Sequence, residues 1–256
     1  MKKIIKKIIL VNKKEGETPL EALSLFRSKH QAYKDLSITY AGRLDPMASG
    51  LLLLVVGDEI KNKSKYLDLD KQYEFEVLFG FATDTYDILG KVLRCSDEVI
   101  QKNELEKQIQ RNLKFFKGKF IQKYPIYSSK TVKGKPLFEY GRRGESVDSP
   151  EREVNVKSLT FLNIKKVASK KLLENIEKRI KKVGGDFRQE EILKIWRKDL
   201  KKDGKEFPWF LIASFKIKCG SGTYVRGIAN SLGKSMNIPA LAYSIKRTKI
   251  GKYAKI

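Results

Sequence analysis

The sequence predicts an α+β fold in which strands and helices are mixed along one domain. Residues 51–56 are a purely aliphatic run between glycines, which is typical of a strand covered on both faces. Residues 73–78 alternate between apolar and acidic side chains, as in a strand with one buried face. Thr18 and Pro19 have the character of an N-cap and a first helical residue, and they predict a helix that ends near Lys29.

The remaining elements are assigned from the same two periodicities. Four further strands are predicted, at 3–11, 153–167, 208–219 and 241–250. Three further helices are predicted, at 60–69, 102–116 and 223–236. A turn-rich stretch covers about 124–144, and an insert of two charged amphipathic helices, about 168–206, separates the two long strands. Because no repeat or low-complexity linker interrupts the chain, we expect 1–256 to form a single domain.

The charge balance indicates a polyanionic partner. The 256 residues contain 54 Lys and Arg against 30 Asp and Glu, which gives a formal net charge of +24. Such an excess concentrates polyanions around a protein and predicts salt-sensitive binding to nucleic acid. A Lys-rich proteome would give a similar composition without such a partner, so composition alone leaves both interpretations open.

Cysteine and histidine usage argues against several classes of site. Cys95 and Cys219 are the two cysteines and His30 is the single histidine, so a disulfide scaffold, a zinc site and a Ser-His-Asp triad are all hard to build. Two apparent motifs have the wrong spacing, since 227–235 does not match a phosphate loop and 84–90 does not match a calcium loop. We therefore expect neither a metal nor another cofactor.

The N-terminal ten residues alternate between charged and apolar pairs and lack a small-residue cleavage site. They are interpreted as a first strand and not as a signal peptide. No apolar run reaches the ~20 residues that a membrane span requires. We therefore expect a cytoplasmic protein.

One carboxylate, Asp45, stands out in the segment that leads into the aliphatic strand. It lies between Gly42 and Gly50 and directly before a proline. The glycines permit close approach of another backbone or of a ligand. An aspartate in a turn commonly bonds its own backbone, and this is the structural alternative to a catalytic role.

Arg226 is the second candidate residue. It would lie in the first turn of the predicted helix 223–236, where the helix dipole disfavours a cation. A cation in that position usually has a partner, and we expect a buried carboxylate. The alternative is an ordinary surface arginine.

Six motifs follow one another along nearly the whole chain. They are GRLDPMASG at 42–50, KQY at 71–73, GFATDTYDILG at 80–90, YPIYSSK at 124–130, GKPLFEYGRR at 134–143 and GTYVR at 222–226. This series resembles the TruB family of tRNA pseudouridine synthases. The resemblance implies a pseudouridine synthase fold, with a mixed, mainly antiparallel central sheet flanked by helices and a thumb loop at about 124–144. It also implies that a monomer converts a uridine of the tRNA T-arm, at position 55, to pseudouridine without a cofactor or a protein partner.

The same resemblance implies roles for individual residues. Asp45 corresponds to the catalytic aspartate, which attacks the flipped uridine so that its base can detach, rotate and rejoin through carbon. Tyr73 corresponds to the tyrosine that stacks on the base and is a candidate proton acceptor, and Arg226 to the arginine that pairs with the aspartate. The residues implied in substrate binding are Tyr40, Arg43, Ile245, Lys130, Tyr127, Arg142 and Arg143.

Several positions depart from the family pattern. Tyr40 occupies the place of a usual histidine, 13–16 lacks the usual proline, and Arg43 replaces a small residue. The resulting Gly-Arg-Leu-Asp core is similar to that of the RsuA and RluA types, which modify ribosomal RNA. A synthase for ribosomal RNA is therefore one alternative. A non-catalytic RNA-binding protein or tRNA-folding chaperone is another, although binding alone does not need Asp45, Tyr73 and Arg226 together.

The resemblance also predicts a difference in domain content. The C-terminal PUA domain that is common in the family is not expected after the last predicted strand. Residues 163–206 contain 15 Lys and Arg against 8 Asp and Glu, a charge of about +7. The insert is therefore a candidate for supplying RNA affinity, and the alternative is that its charges form a solvated face.

Overall fold

The computed structural model describes residues 5–96, 98–200 and 208–254. Its strands are β1 Ile8–Lys13, β2 Ile38–Ala41, β3 Ala48–Val56, β4 Lys71–Phe79, β5 Phe81–Thr83, β6 Val92–Cys95, β7 Gly118–Lys123, β8 Thr131–Val132, β9 Lys135–Pro136, β10 Glu151–Ala168, β11 Trp209–Cys219, β12 Ala240–Ile250 and β13 Tyr253–Ala254. Its α-helices are α1 Pro19–Lys29, α2 Lys63–Leu67, α3 Lys102–Asn112, α4 Leu137–Arg143, α5 Ser169–Ile180, α6 Gln189–Leu200 and α7 Val225–Ser235. Short 3₁₀ turns lie at Gln31–Tyr33, Gly57–Asn62 and Leu113–Phe116.

One large sheet organises the fold. Its strand order is β1-β3-β12-β4-β11-β10-β7, with β2 paired to β3 and β13 paired to β12. All of these pairs are antiparallel except β3 with β12, which is parallel. The predicted α+β class, with a mixed and mainly antiparallel central sheet, is confirmed.

The segments with the clearest sequence patterns have the secondary structure that was predicted for them. Thr18 caps α1 with a reciprocal capping box to Glu21, and the helix ends at Lys29 as expected. The aliphatic strand β3 is buried on both faces, with Leu52 and Leu54 packed against α1. The strand at 73–78 and the two long strands on either side of the insert are also confirmed.

Both faces of the sheet are covered by helices. Helices α3 and α7 pack on one face, around Phe75 and Phe215. Helices α5 and α6 of the insert pack on the other, where Ile176 and Trp196 meet Leu78. The two predicted helices of the insert are therefore confirmed, and their apolar stripes form part of the core. Residues 201–206 of the insert lie outside the described residues.

Several elements differ from the sequence prediction. Strand β1 begins at Ile8 and not at residue 3, and residues 1–4 lie outside the described residues. The predicted helix at 102–116 tightens to a 3₁₀ turn after Asn112, whereas the one at 60–69 begins as a 3₁₀ turn and continues as α2 from Lys63 to Leu67. The stretch predicted as turns contains helix α4, whose left-handed cap Gly144 is a local signal that could have identified it. Among the described residues, no helix is long and apolar enough to cross a membrane.

Candidate active site

A cavity of about 600 Å³ opens at the end of the sheet where the parallel pair β3 and β12 begins. Its lining is strongly cationic and rich in aromatic rings, with seven Lys or Arg, five Tyr and two Phe against two carboxylates. The carboxylates belong to Asp45 and Asp87. The cations are Arg43, Lys71, Arg142, Arg152, Arg188, Arg226 and Arg247. This composition suits an anionic ligand that carries a flat ring.

Asp45 reaches the cavity from the loop between β2 and β3. The strand that follows can approach β12 closely because residue 50 is a glycine with φ of +104°. A Cβ atom at Gly50 would lie 2.2 Å from the backbone oxygen of Arg247, so any side chain there would separate the pair. The expectation that Gly50 permits close approach of another backbone is confirmed. Gly42, at φ +83°, faces the Arg247 side chain.

Arg247 holds this loop from below. Its buried guanidinium donates to the carbonyl oxygens of Leu51 at 2.7 Å, Arg43 at 3.3 Å and Gly42 at 3.4 Å. Carbonyl groups thus satisfy the donors of the guanidinium, which offsets the cost of burying it. Arg247 was missed in the sequence, where the alternation of the strand, which puts residue 247 on the same face as Ile245, was the available signal.

Lys13 supports the other side of the loop and was also missed. Its buried ammonium group donates to the carbonyl oxygens of Glu17 at 2.6 Å, Lys14 at 3.0 Å and Pro46 at 3.4 Å. Burial lowers the pKa of Lys13 to about 8, against the opposing effect of the nearby carboxylates. The position of Asp45 is thus fixed by two buried cations that bind main-chain oxygens.

Asp45 and Arg226 are brought together although 181 residues separate them. Arg226 Nε donates to Asp45 Oδ2 at 2.7 Å, and the other two guanidinium nitrogens donate to the carbonyl oxygens of Thr85 at 2.7 Å and Tyr127 at 2.9 Å. The Arg226 side chain is 3% exposed and that of Asp45 is 36% exposed. The arginine is therefore covered by protein while the carboxylate faces the cavity. Arg226 is the second residue of α7, and the carboxylate partner expected for it is present, although the arginine and not the carboxylate is the buried member of the pair.

Asp87 is the second carboxylate of the cavity and, unlike Asp45, it is buried. Its Oδ1 accepts hydrogen bonds from the Thr85 hydroxyl at 2.7 Å and from the Leu89 N–H at 3.0 Å. Burial raises the pKa of Asp87 to about 6, although the Arg226 guanidinium acts in the opposite direction. In the sequence it belongs to the family motif at 80–90 but was given no role of its own, so its contribution to the site was missed.

The floor of the cavity is built from the central strands. Tyr73 lies on β4 directly opposite Arg247, and burial raises the pKa of its hydroxyl. Ile245, two positions earlier on β12, pairs with Ala48 on β3 and also lines the cavity. Two flat or apolar side chains are thus placed where a base could rest.

The outer residues of the predicted substrate-binding set differ in position. Tyr40 and the exposed Arg43 line the cavity. So do Tyr127, whose hydroxyl donates to the Gly141 carbonyl at 2.9 Å, and Arg142.

Lys130 and Arg143 are not among the residues that line the cavity. The Lys130 ammonium lies 5.6 Å from the centroid of the Tyr124 ring, and Arg143 pairs with Glu145 at 3.6 Å. Both side chains are exposed because they lie on the outer surface of the turn and helix that the sequence did not resolve. The structure therefore does not bring these two residues into the site.

Two cavity residues come from a segment to which no site residue was assigned. Phe187 and Arg188, between the two helices of the insert, line the same cavity as Asp45. The sequence offered only Gly184 and Gly185 as a sign of a turn there. Within 5–96, 98–200 and 208–254, no three His, Cys, Asp or Glu side chains are grouped so that they could hold a metal ion.

Known proteins with similar sequences and structures define the family. The family described as "TruB family pseudouridylate synthase (N terminal domain)" matches residues 29–185. The tRNA pseudouridine synthase B of Lactobacillus acidophilus is 31% identical over 240 residues, which cover 94% of this chain and 67% of that protein. The one from Caldanaerobacter subterraneus is 30% identical over 246 residues, which cover 96% of this chain and 69% of that protein.

The solved structures agree on the fold. The chain matches a Cbf5-Nop10-Gar1 complex with a TM-score of 0.56 at 15% identity, over 97% of this chain and 50% of that one. It matches an H/ACA RNP bound to a substrate RNA containing 2′-deoxyuridine equally well, over 97% of this chain and 49% of that one. The chain thus spans about half the length of these structures, whose fold it shares. The matched family region and the two tRNA pseudouridine synthase B relatives lead to one conclusion: the chain belongs to the TruB family of pseudouridylate synthases.

Proposed function

We propose that this protein converts a uridine of tRNA to pseudouridine, and that the substrate is the uridine at position 55 of the T-loop. The observation that carries the proposal is the Asp45–Arg226 pair, whose carboxylate faces a cavity lined by seven cations and five tyrosines. A nucleotide supplies both features that such a lining binds, a phosphate and a flat base. The T-arm and position 55 come from the family resemblance.

The cavity has the dimensions that this reaction needs. A volume of about 600 Å³ is within the usual range for a small-molecule site and holds one flipped nucleotide. The uridine must leave its stack because its glycosidic bond is inaccessible inside a folded arm. Ile245 and Tyr73 would contact the base, and the tyrosines near the opening would contact its neighbours.

The chemistry is an isomerisation in which no atom is gained or lost. The bond between C1′ and N1 breaks, the uracil rotates, and a bond between C1′ and C5 forms. The C5 proton is then lost and N1 takes up a proton. Attack on the sugar, attack on the base and removal of a sugar proton all require a carboxylate that faces the nucleotide, as Asp45 does.

Arg226 and Tyr73 have separate tasks in this proposal. Arg226 fixes the orientation of the Asp45 carboxylate through a rigid guanidinium with three partners, so that the reacting atoms need little further positioning. Because burial raises the pKa of Tyr73, its hydroxyl is held in the neutral form. Stacking on the base is therefore its first task, and accepting the C5 proton would require a partner that takes the proton onward.

Substrate and compartment follow from the same proposal. The excess of cations is typical of a protein that binds RNA, and the enzyme would act on tRNA in the cytoplasm as a monomer. Ribosomal RNA is the alternative substrate, because Gly42 to Asp45 has the sequence that is similar to the ribosomal type.

Replacement of Asp45 by Asn tests the function. Asn keeps the shape of the side chain and one acceptor oxygen but removes the negative charge. We expect the wild-type protein to form pseudouridine in tRNA, and Asp45→Asn to form none while still binding tRNA, as measured by pseudouridine mapping of tRNA and ribosomal RNA. Product from both proteins would contradict the role of Asp45, and product from neither would favour an RNA chaperone.

A further inference from the structure

The turn between the two insert helices, residues 184–188, is here named the insert tip. It lies beside the Asp45 cavity because the insert is fastened on two sides. Arg179 in α5 donates to both carboxylate oxygens of Glu15, at 2.7 to 3.1 Å. The Trp196 indole in α6 donates to the Ile88 carbonyl at 3.2 Å. The insert tip is therefore held against the loops of the active site and does not extend freely into solvent.

Arg188 is the central residue of this arrangement. Its guanidinium donates to the Asp84 carboxylate at 2.8 Å, and both side chains are less than 20% exposed. The same guanidinium lies 4.4 Å from the centroid of the Tyr127 ring. The Arg188 backbone has φ of +62°, a left-handed conformation that is strained for a residue other than glycine. The chain thus keeps a large side chain where glycine would be easier, which is consistent with a task for that side chain.

A second link joins the insert tip to the thumb segment, 124–144, from the opposite direction. Arg142 in the thumb segment donates to the Asp186 carbonyl at 2.9 Å. Its guanidinium carbon also lies 5.9 Å from the centroid of the Phe187 ring. Arg188 of the insert tip thus contacts the thumb segment, and Arg142 of the thumb segment contacts the insert tip.

Tyr127 connects this contact to the reacting carboxylate. Its backbone carbonyl accepts a hydrogen bond from Arg226 at 2.9 Å, and Arg226 in turn donates to Asp45 at 2.7 Å. Its hydroxyl donates to the Gly141 carbonyl within the thumb segment. Tyr127 thus carries on one residue both the ring that contacts Arg188 and the carbonyl that contacts Arg226.

We propose that Arg188 of the insert tip is a positioning residue, which fixes Tyr127 and thereby the Arg226–Asp45 pair in its reactive geometry. The inference rests on the proposed function, because it concerns the rate of that reaction. It gives the insert a task in catalysis that differs from a general attraction of its basic surface for RNA. In the competing interpretation, Arg188 only holds the insert to Asp84 or contacts RNA directly.

The test compares three variants with the wild-type enzyme. Arg188→Gln removes both contacts, and Arg188→Lys can keep the ion pair with Asp84 but has no planar guanidinium to stack on Tyr127. Arg197→Gln is the matched control, since Arg197 lies on the same insert and pairs with Glu177 at 2.6 Å on an exposed surface outside the cavity. Single-turnover rates at saturating enzyme, the Kd for tRNA and thermal unfolding are measured for each.

We expect Arg188→Gln to lower the single-turnover rate about tenfold or more while the Kd for tRNA changes less than about threefold. Arg188→Lys should be intermediate, and Arg197→Gln should match the wild type in rate and Kd. A wild-type rate in Arg188→Gln would overturn the inference, and so would a loss confined to Kd. If Arg188→Gln does not fold, a wild-type rate in Arg188→Lys has the same meaning. A wild-type enzyme that forms no pseudouridine would overturn the proposed function itself.

Discussion

Replacement of Arg226 by Lys measures how much of the site depends on the shape of one guanidinium. Arg226 makes three hydrogen bonds of 2.7 to 2.9 Å, to one carboxylate and two carbonyl oxygens that lie in different directions. A Lys ammonium is a compact charge that can pair with Asp45 but cannot span both carbonyls at the same time. The variant therefore keeps the charge and loses the rigid connection.

The size of the effect follows from the lost bonds. A hydrogen bond to a charged group contributes about 1.5–3 kcal/mol, so loss of one or two suggests a decrease of about 1.5–6 kcal/mol in the free energy of unfolding. A value of about 3 kcal/mol is expected, because Arg226 is 3% exposed and a carbonyl oxygen that loses its donor there is not readily hydrated. A displacement of the reacting carboxylate by about 1 Å can cost about 100-fold in rate. We expect Arg226→Lys to lower the free energy of unfolding by about 3 kcal/mol and the single-turnover rate by about 100-fold.

Urea unfolding and single-turnover pseudouridine formation check these two values separately. Arg197→Lys is the control, since its exposed pair with Glu177 should contribute no more than about 0.5 kcal/mol. The Kd for tRNA should be almost unchanged in both variants. A variant Arg226→Lys with wild-type stability and rate would refute the reasoning, because charge alone would then be sufficient to hold Asp45.

Two further predictions concern the support of the Asp45 loop and the buried acid beside it. Gly50→Ala should destabilise the protein by about 3 kcal/mol or more in urea unfolding, because its Cβ would lie 2.2 Å from the backbone oxygen of Arg247. Gly57→Ala is the control: it has φ of +62° and open space around it, and it should cost only about 1 kcal/mol. Burial raises the pKa of Asp87 from 3.8 to about 6, so the folded protein binds this proton more tightly than the unfolded chain does. The resulting stabilisation of the folded state is complete below about pH 3.8 and is lost as the pH rises through about 6. Between pH 4 and 7 the free energy of unfolding of Asp87→Asn should therefore exceed that of the wild type by up to about 3 kcal/mol, and the exposed Asp58→Asn should show no such difference. Equal costs for the two alanine variants, or parallel pH profiles for the wild type and Asp87→Asn, would contradict these two arguments.

Features whose signal is local could be predicted from the sequence. The capped helix α1, the aliphatic strand β3 and the amphipathic helices of the insert each carry their own pattern over a few turns or residues. Arg226 was predictable for a related reason, since a cation in the first turn of a helix requires a partner. The identity of that partner came from the family resemblance, because Asp45 is remote in the sequence.

The supports of the site could not be predicted, for a physical reason. Lys13 and Arg247 bind main-chain carbonyl oxygens, and every residue carries a carbonyl. A cation satisfied in this way needs no complementary side chain, so nothing in the sequence marks its partner. Nothing in the sequence marks the insert tip as part of the cavity either, because it reaches the cavity only through the packing of α5 and α6 against the sheet.

The structure also divides the cations of the cavity into two groups with different tasks. Five of the seven use their donors on acceptors within the protein, and they hold loops in place: Arg226, Arg247, Arg188, Arg142 and Lys71. Among the described residues, Arg43 and Arg152 have neither an ion pair nor a hydrogen bond through their side chains, although both line the cavity. In the proposed function we expect phosphate binding to rely on this second group, because phosphate needs free donors, whereas the first group sets the geometry of the carboxylate. On that proposal the local positive charge has two separate roles, and Arg43, in the place of a small residue, would serve the one that binds RNA.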